Sequence, residues 1–217
     1  MNLESLLIIL PAILIALTIH EFAHGWVAFR LGDPTARDAG RLTLNPLPHL
    51  DTVGTLMLII TTLSGKGSFG WAKPVPVNGY NFANPKRDGL LVSLAGPVSN
   101  ILLALVFGYS YRGIFGDHVY PNAYTGIFLL QCISINIGIA FFNLIPVPPL
   151  DGSHILAGLL PNHLIPSYFN KMRYMPMIFM GMLIAEWVLH IPVFSAIIYP
   201  FYKPFAAFWN FIIFWRF

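Results

Sequence analysis

Apolar residues fall into long runs separated by short polar connections, and a helix that crosses a bilayer needs about 20 mostly apolar residues. Three runs meet that length without a Lys or Arg: Leu6 to Phe29, Leu90 to Tyr111 and Thr125 to Leu144. Two weaker ones, Tyr174 to Leu189 and Phe194 to Trp215, are interrupted by Pro176, Glu186, Lys203 and Pro204. Thr52 to Leu63 is too short for an upright span and reads as re-entrant or interfacial. Between the first two core helices, "FGWAKPVPVN" cannot be helix interior, because Pro74 and Pro76 each remove a backbone donor. It predicts an extended segment or edge strand, which must pack on protein or lie at the water boundary. The pattern predicts an all-α polytopic membrane protein of about five to six transmembrane helices, with a re-entrant segment and a short extended or β element.

Composition agrees with this reading. Of 217 residues 56% are hydrophobic and only 10% charged, with a mean hydropathy of +0.69, whereas soluble domains carry about 25% charged residues. No repeat or flexible linker divides the chain, so residues 1–217 read as one domain, with a core of about 5–155 and C-terminal helices of about 155–217. The net charge of +3 arises from few, scattered residues, which argues against a nucleic-acid partner. The single Cys132 forms no internal disulfide. Met1 to Ser5 lacks a basic start, so the first segment is expected to be retained. Arg30, Arg37 and Arg41 precede Thr52 to Leu63, and Lys66, Lys73, Lys86 and Arg87 follow it, which assigns both flanks to the cytoplasmic side. Arg112 then falls outside, against the rule. The expected location is a cell membrane, crossed several times.

The first helix carries unusual chemistry. His20-Glu21-Phe22-Ala23-His24 places two imidazoles four residues apart, on one helical face, with a carboxylate one position beyond the first. Ionisable groups inside an apolar span need a partner, a metal or water. The bland alternative, three groups hydrogen-bonded to neighbours, weakens because all three share one turn. Imidazole suits zinc, and a catalytic zinc takes three protein ligands with a fourth position for water. His24 lies about 9 Å along the helix from Arg30, so the centre is expected within the membrane, nearer the cytoplasmic side.

Candidates for the third ligand are Asp151, His154, Glu186 and His190. Asp151 is favoured: it ends a stretch in which Pro146, Pro148 and Pro149 forbid regular helix, and Gly152 relaxes the backbone after it. Broken helix at membrane depth is tolerated where it lines a buried or wet cavity. The competing role for Asp151 is a helix N-cap.

With "HEFAH" in an apolar helix followed by "NLIPVPPLDG", the chain resembles the site-2 protease family of intramembrane zinc metalloproteases, peptidase family M50. "LTLNPLPHLDTVGT", "GWAKPVPVN" and "LAGPVSN" resemble its short bacterial and archaeal members, which lack a PDZ domain. The resemblance implies that His20, His24 and Asp151 bind one Zn2+ per chain and that Glu21 is the catalytic base. Asn143 would assist the reacting carbonyl or position substrate, or else bond to the broken backbone nearby. His49 matches a family histidine but as a loop residue is expected to contact solvent or backbone. The motif helix is the first here, whereas larger members have one before it.

A transmembrane protein substrate must be unwound before its carbonyls are accessible. The edge Gly70, Trp71, Ala72, Lys73, Pro74, Val75, Pro76, Val77 and Asn78 is expected to hold the unwound segment by strand addition. Partners are the bilayer, the substrate, and either a regulatory membrane protein or further copies of the chain. The competing class is a non-proteolytic zinc-binding scaffold or a transporter. A scaffold needs no base, and a transporter is expected to show repeated halves. Glu186 and His190, four apart, could form a second polar site but read rather as a satisfied pair or as residues near the outer surface, and Phe201 to Phe217 either spans, lies at the interface or meets a partner.

Overall fold

The computed structural model describes residues 3–64, 69–116 and 124–214, and within them the chain is helical. Helix α1 (Leu3–Arg30) is followed by a single turn, α2 (Thr35–Asp38), and by α3 (Thr52–Ser64). Two long helices, α4 (Pro85–Phe115) and α5 (Tyr124–Leu144), form the centre. Short helices α6 (Asp151–Leu159), α7 (Ile165–Met172) and α8 (Met175–Val188) lead to α9 (Val193–Phe214). Lys66, Trp215 and the last residues of the C-terminal aromatic run lie outside the described residues.

Among the described residues three helices, α1, α4 and α5, are long and apolar enough to cross a membrane. The count reaches four if the bent α7–α9 region is one broken span, not the five to six expected from the pattern. The cause is local: α8 is 14 residues long, and between it and α9 the chain bends by 105°, with His190 in the left-handed region at φ 61°. At the bend the Glu186 carboxylate accepts the amide of Ser195 at 2.8 Å, covering a donor that the first turn of α9 would otherwise leave unpaired.

Helix α4 is the hub, packing against α1, α5 and α6. Its outward residues Leu102, Val106, Tyr109 and Ile114 are exposed and apolar, as a lipid-facing side requires. Its inward face joins α5 and α9 in a core of Ala104, Tyr111, Leu129, Ile133, Ile137 and Ile213. In lipid such contacts are held by close packing rather than by removal from water.

The expected β element is an extended strap without an assigned strand among the described residues. One antiparallel bridge joins Leu50 to Ala72, and the Lys73 amide donates to the His49 carbonyl at 2.9 Å. Pro74 and Pro76 stop the ladder from continuing. The strap runs back along α3, where Thr61 Oγ1 accepts the Phe69 amide at 2.8 Å and donates to the Leu58 carbonyl at 3.0 Å. The chain therefore doubles back after α3. Arg41, one of the cations flanking α3, is buried, and its guanidinium donates to the Lys73 carbonyl of the strap at 2.7 Å.

Ile213 is the buried α9 residue of the core that α9 forms with α4 and α5, with Tyr202, Phe205, Ala206 and Trp209 packed beside it. Ile213→Ala is expected to lower stability in detergent by about 2–5 kcal/mol through the cavity it leaves. A thermal or denaturant unfolding curve unchanged from wild type would show that α9 is not part of the core.

Candidate metal centre

Four-residue spacing on α1 puts the His20 and His24 rings on one face, with centroids 4.6 Å apart and planes at 84°. Their Nε2 atoms lie 3.1 Å apart, and Asp151 Oδ2 sits 3.2 Å from the first and 3.3 Å from the second. Both histidines are buried. These three side chains are the group of potential metal ligands found among the described residues.

The chain reaches this point because the break after α5 is enforced. Helix α5 stops at Leu144, the proline-rich turn contains a cis Pro148–Pro149 bond, and α6 begins at Asp151. Asp151 is not the N-cap: that position is Leu150, without a side-chain cap bond, and the Asp151 carboxylate points to the histidines instead. Gly152 acts differently from the sequence expectation. Its value is close approach rather than backbone freedom, because a Cβ there would overlap the carbonyls of Leu144 and Ile145.

Both imidazoles are committed through their other nitrogen. His20 Nδ1 lies 2.7 Å from Asn100 Oδ1, and His24 Nδ1 lies 2.7 Å from the Val92 carbonyl. Carbonyl oxygens only accept, so each Nδ1 carries a proton and, in the neutral ring, each Nε2 presents a lone pair. Two lone pairs and a carboxylate oxygen then face each other with no donor among them, and Asp151 Oδ2 is buried without a hydrogen-bond partner. A cation resolves this. Ligand atoms about 2.0–2.2 Å from a tetrahedral zinc are about 3.3–3.5 Å apart, close to the observed separations. The residues present fit a two-histidine, one-carboxylate metal site.

Glu21 lies one residue further along α1, about 100° round the helix. Its Oε2 accepts the Val75 amide at 2.8 Å. Val75 stands between two prolines, so its N–H is the one donor that the Pro74–Pro76 stretch can offer, and it is spent on Glu21. The strap thus lies directly over the acid beside the metal ligands. Gly70 to Asn78 is in place near the centre, but its donors at Lys73, Val75 and Asn78 are all engaged by the protein.

The remaining expected residues divide. Asn143 donates to the Ile139 carbonyl of its own helix at 3.1 Å. His49 is buried, with Nε2 2.9 Å from the Thr43 carbonyl, which matches the backbone contact expected and not the solvent alternative. His154 stacks near Phe169, and Glu186 serves the α8–α9 bend, so neither joins the metal group. Asn100 carried no assigned role in the sequence, although it closes the "LAGPVSN" motif. Asparagine in an apolar span was the available signal.

Comparison with known proteins follows the same lines. A family model described as "Peptidase family M50" matches residues 117–184, which include Asp151 but not α1. "Putative zinc metalloprotease YwhC" of Bacillus subtilis is 42% identical over 153 residues, covering 69% of this chain and 67% of the relative. Rip2 of Mycolicibacterium smegmatis, with the same designation, is 32% identical over 74% of this chain and 59% of its own length. Rip2 of Mycobacterium tuberculosis is 34% identical over 64% of this chain and 52% of the relative. The chain thus spans about half to two thirds of the curated relatives it matches. No solved structure matches.

The strap is tied at its far end by Asp33, whose side chain is fully buried. Its carboxylate accepts the Asn78 amide at 2.7 Å, the Asn81 side chain at 2.7 Å, and the amide and hydroxyl of Thr35. Burial opposes ionisation, but these donors outweigh it and hold the carboxyl below the usual range. The stabilisation is therefore complete above the unfolded value of about 3.9 and is lost as pH falls through the lower folded value. Asp33→Asn turns one acceptor into a donor facing donors, and is expected to cost about 1–3 kcal/mol at pH 7. The gap from wild type should narrow below about pH 4 in unfolding measurements. A gap independent of pH would show that the charge of Asp33 contributes nothing.

Proposed function

The chain belongs to peptidase family M50, whose metal is zinc, and from that premise we propose that it is an intramembrane zinc metalloprotease that hydrolyses peptide bonds of transmembrane proteins. The observation that carries this reading is the convergence of His20 Nε2, His24 Nε2 and Asp151 Oδ2 within 3.3 Å, each imidazole having its proton committed elsewhere. These three side chains would hold one Zn2+ per chain. When bound, zinc supplies Lewis acidity, lowering the pKa of water toward about 7 and polarising a peptide carbonyl.

Glu21 takes the proton of the attacking water and returns it to the leaving amine. Asn143 uses one amide hydrogen on Ile139, and its second is the candidate donor to the reacting carbonyl. Substrate backbone binds along Gly70 to Asn78 by exchange. Val75 releases Glu21 and offers its N–H to the incoming chain, which both frees the base and fixes the register of the peptide. Because Pro74 and Pro76 cannot donate, that register depends on one amide. The active site lies nearer the cytoplasmic side, by the distribution of basic residues around Arg30 and Arg37.

Zinc per chain and cleavage of a generic transmembrane peptide in detergent test the assignment. Wild type is expected to hold one zinc, and His20→Ala and Asp151→Ala to lose it. Glu21→Gln should keep the metal while cleavage falls by about 10²–10⁴-fold. Wild-type cleavage by Glu21→Gln would refute the base, and no zinc in metal-replete wild type would refute the centre. Stoichiometric zinc without cleavage of any peptide would favour a non-proteolytic zinc scaffold.

A further inference from the structure

A buried polar chain runs through three apolar helices to the metal centre. Asn136 of α5 donates through Nδ2 to the Cys132 carbonyl at 2.8 Å. Its Oδ1 consequently faces away and accepts Nδ2 of Asn100, on α4, at 2.8 Å. The same Nδ2 donates to the Ala16 carbonyl of α1 at 3.1 Å. Asn100 Oδ1 is left facing His20 Nδ1 at 2.7 Å. Asn100 and Asn136 are both completely buried.

The orientation of each amide follows from the one before it. The carbonyls of Cys132 and Ala16 can only accept, so they fix which end of each amide carries nitrogen. Asn100 is thereby obliged to present oxygen to His20. An oxygen there requires a proton on Nδ1 and, in the neutral ring, leaves the Nε2 lone pair aimed at Asp151 Oδ2. Two uncharged amides buried in an apolar bundle are costly unless bonded, and the chain they form ends on one ligand ring, through Asn100 Oδ1.

The approach is built into α4. Gly96, one turn before Asn100, has no side chain where a Cβ would overlap both His20 and His24. Pro97 has no N–H, so the Ser93 carbonyl lacks its helical donor, one residue beyond the Val92 carbonyl that faces His24. The stretch Gly96-Pro97-Val98-Ser99-Asn100 thus brings a backbone close to the rings and then supplies the acceptor that orients one of them.

We infer that Asn100 is a positioning residue for the metal: it holds His20 in the Nδ1-protonated tautomer, with Asn136 fixing the orientation of its amide. The inference rests on the reading that His20, His24 and Asp151 bind zinc. Ligand-orienting partners of this kind are worth about 10–100-fold in metal affinity.

The experiment is zinc affinity of the purified full chain in detergent, by competition with a chromophoric chelator, together with the visible spectrum of the Co2+-substituted protein. Asn100→Leu removes the acceptor and is expected to bind zinc about 10–100-fold more weakly, with helix content unchanged and an altered cobalt spectrum. Asn100→Asp keeps an oxygen toward His20 but loses the donors to Ala16 and Asn136. It is expected to retain affinity within a few fold of wild type. A purely structural role predicts the reverse order of harm, because the aspartate breaks both helix-linking bonds and buries a charge. Wild-type affinity in Asn100→Leu would overturn the inference, as would loss of 10-fold or more in Asn100→Asp. Should Asn100→Leu fail to fold, Asn100→Asp alone decides. Absence of zinc from wild type would instead sink the underlying metal reading.

Discussion

Two imidazole nitrogens and a carboxylate oxygen converge within 3.3 Å in a buried site, and the elements around them are arranged to make that convergence possible. Two imidazoles on one face of α1 supply half of the problem. The third donor must arrive from a different helix, and an uninterrupted helix would carry its side chain past the site. The prolines between α5 and α6 solve this by ending one helix and starting the next with Asp151 as its first residue. Gly152 then lets that turn sit against the carbonyls at the end of α5. Broken backbone at this depth is acceptable because it lines a polar centre rather than lipid.

The same constraint explains why α4 is the hub. Each ligand ring needs an acceptor for its second nitrogen, and both acceptors come from α4, a side chain from Asn100 and a backbone oxygen from Val92. An apolar helix seldom offers either. Glycine and proline in the turn between them admit the rings and open the ladder, at a cost to helix stability that packing against α1, α5 and α6 offsets.

The strap closes the centre from the other side. It is held at one end by Asp33, in the middle by Glu21, and toward α3 by His49, Arg41 and Thr61. The attachment at Glu21 is the one that joins the strap to the residue beside His20.

Much was legible in the residues themselves. Spans α1, α4 and α5 follow from runs long enough to cover the hydrocarbon core, and the His20–His24 pair follows from the 3.6-residue period, which brings positions four apart onto one face. Asp151 could be selected because few acids occur in apolar surroundings and only one ends a proline-broken turn. The extended strap followed from Pro74 and Pro76, which forbid helix wherever they are placed. These are local properties, so the sequence alone determined them. What remained for tertiary structure were relations between distant positions: that Val75 donates to Glu21, that Arg41 is buried under the strap, that Asn136 and Asn100 lead to His20, and that α8 and α9 bend. Hydrogen bonds across 36, 54 or 80 residues leave no periodic trace in a chain, because they depend on which helix faces α4 and how closely it can approach.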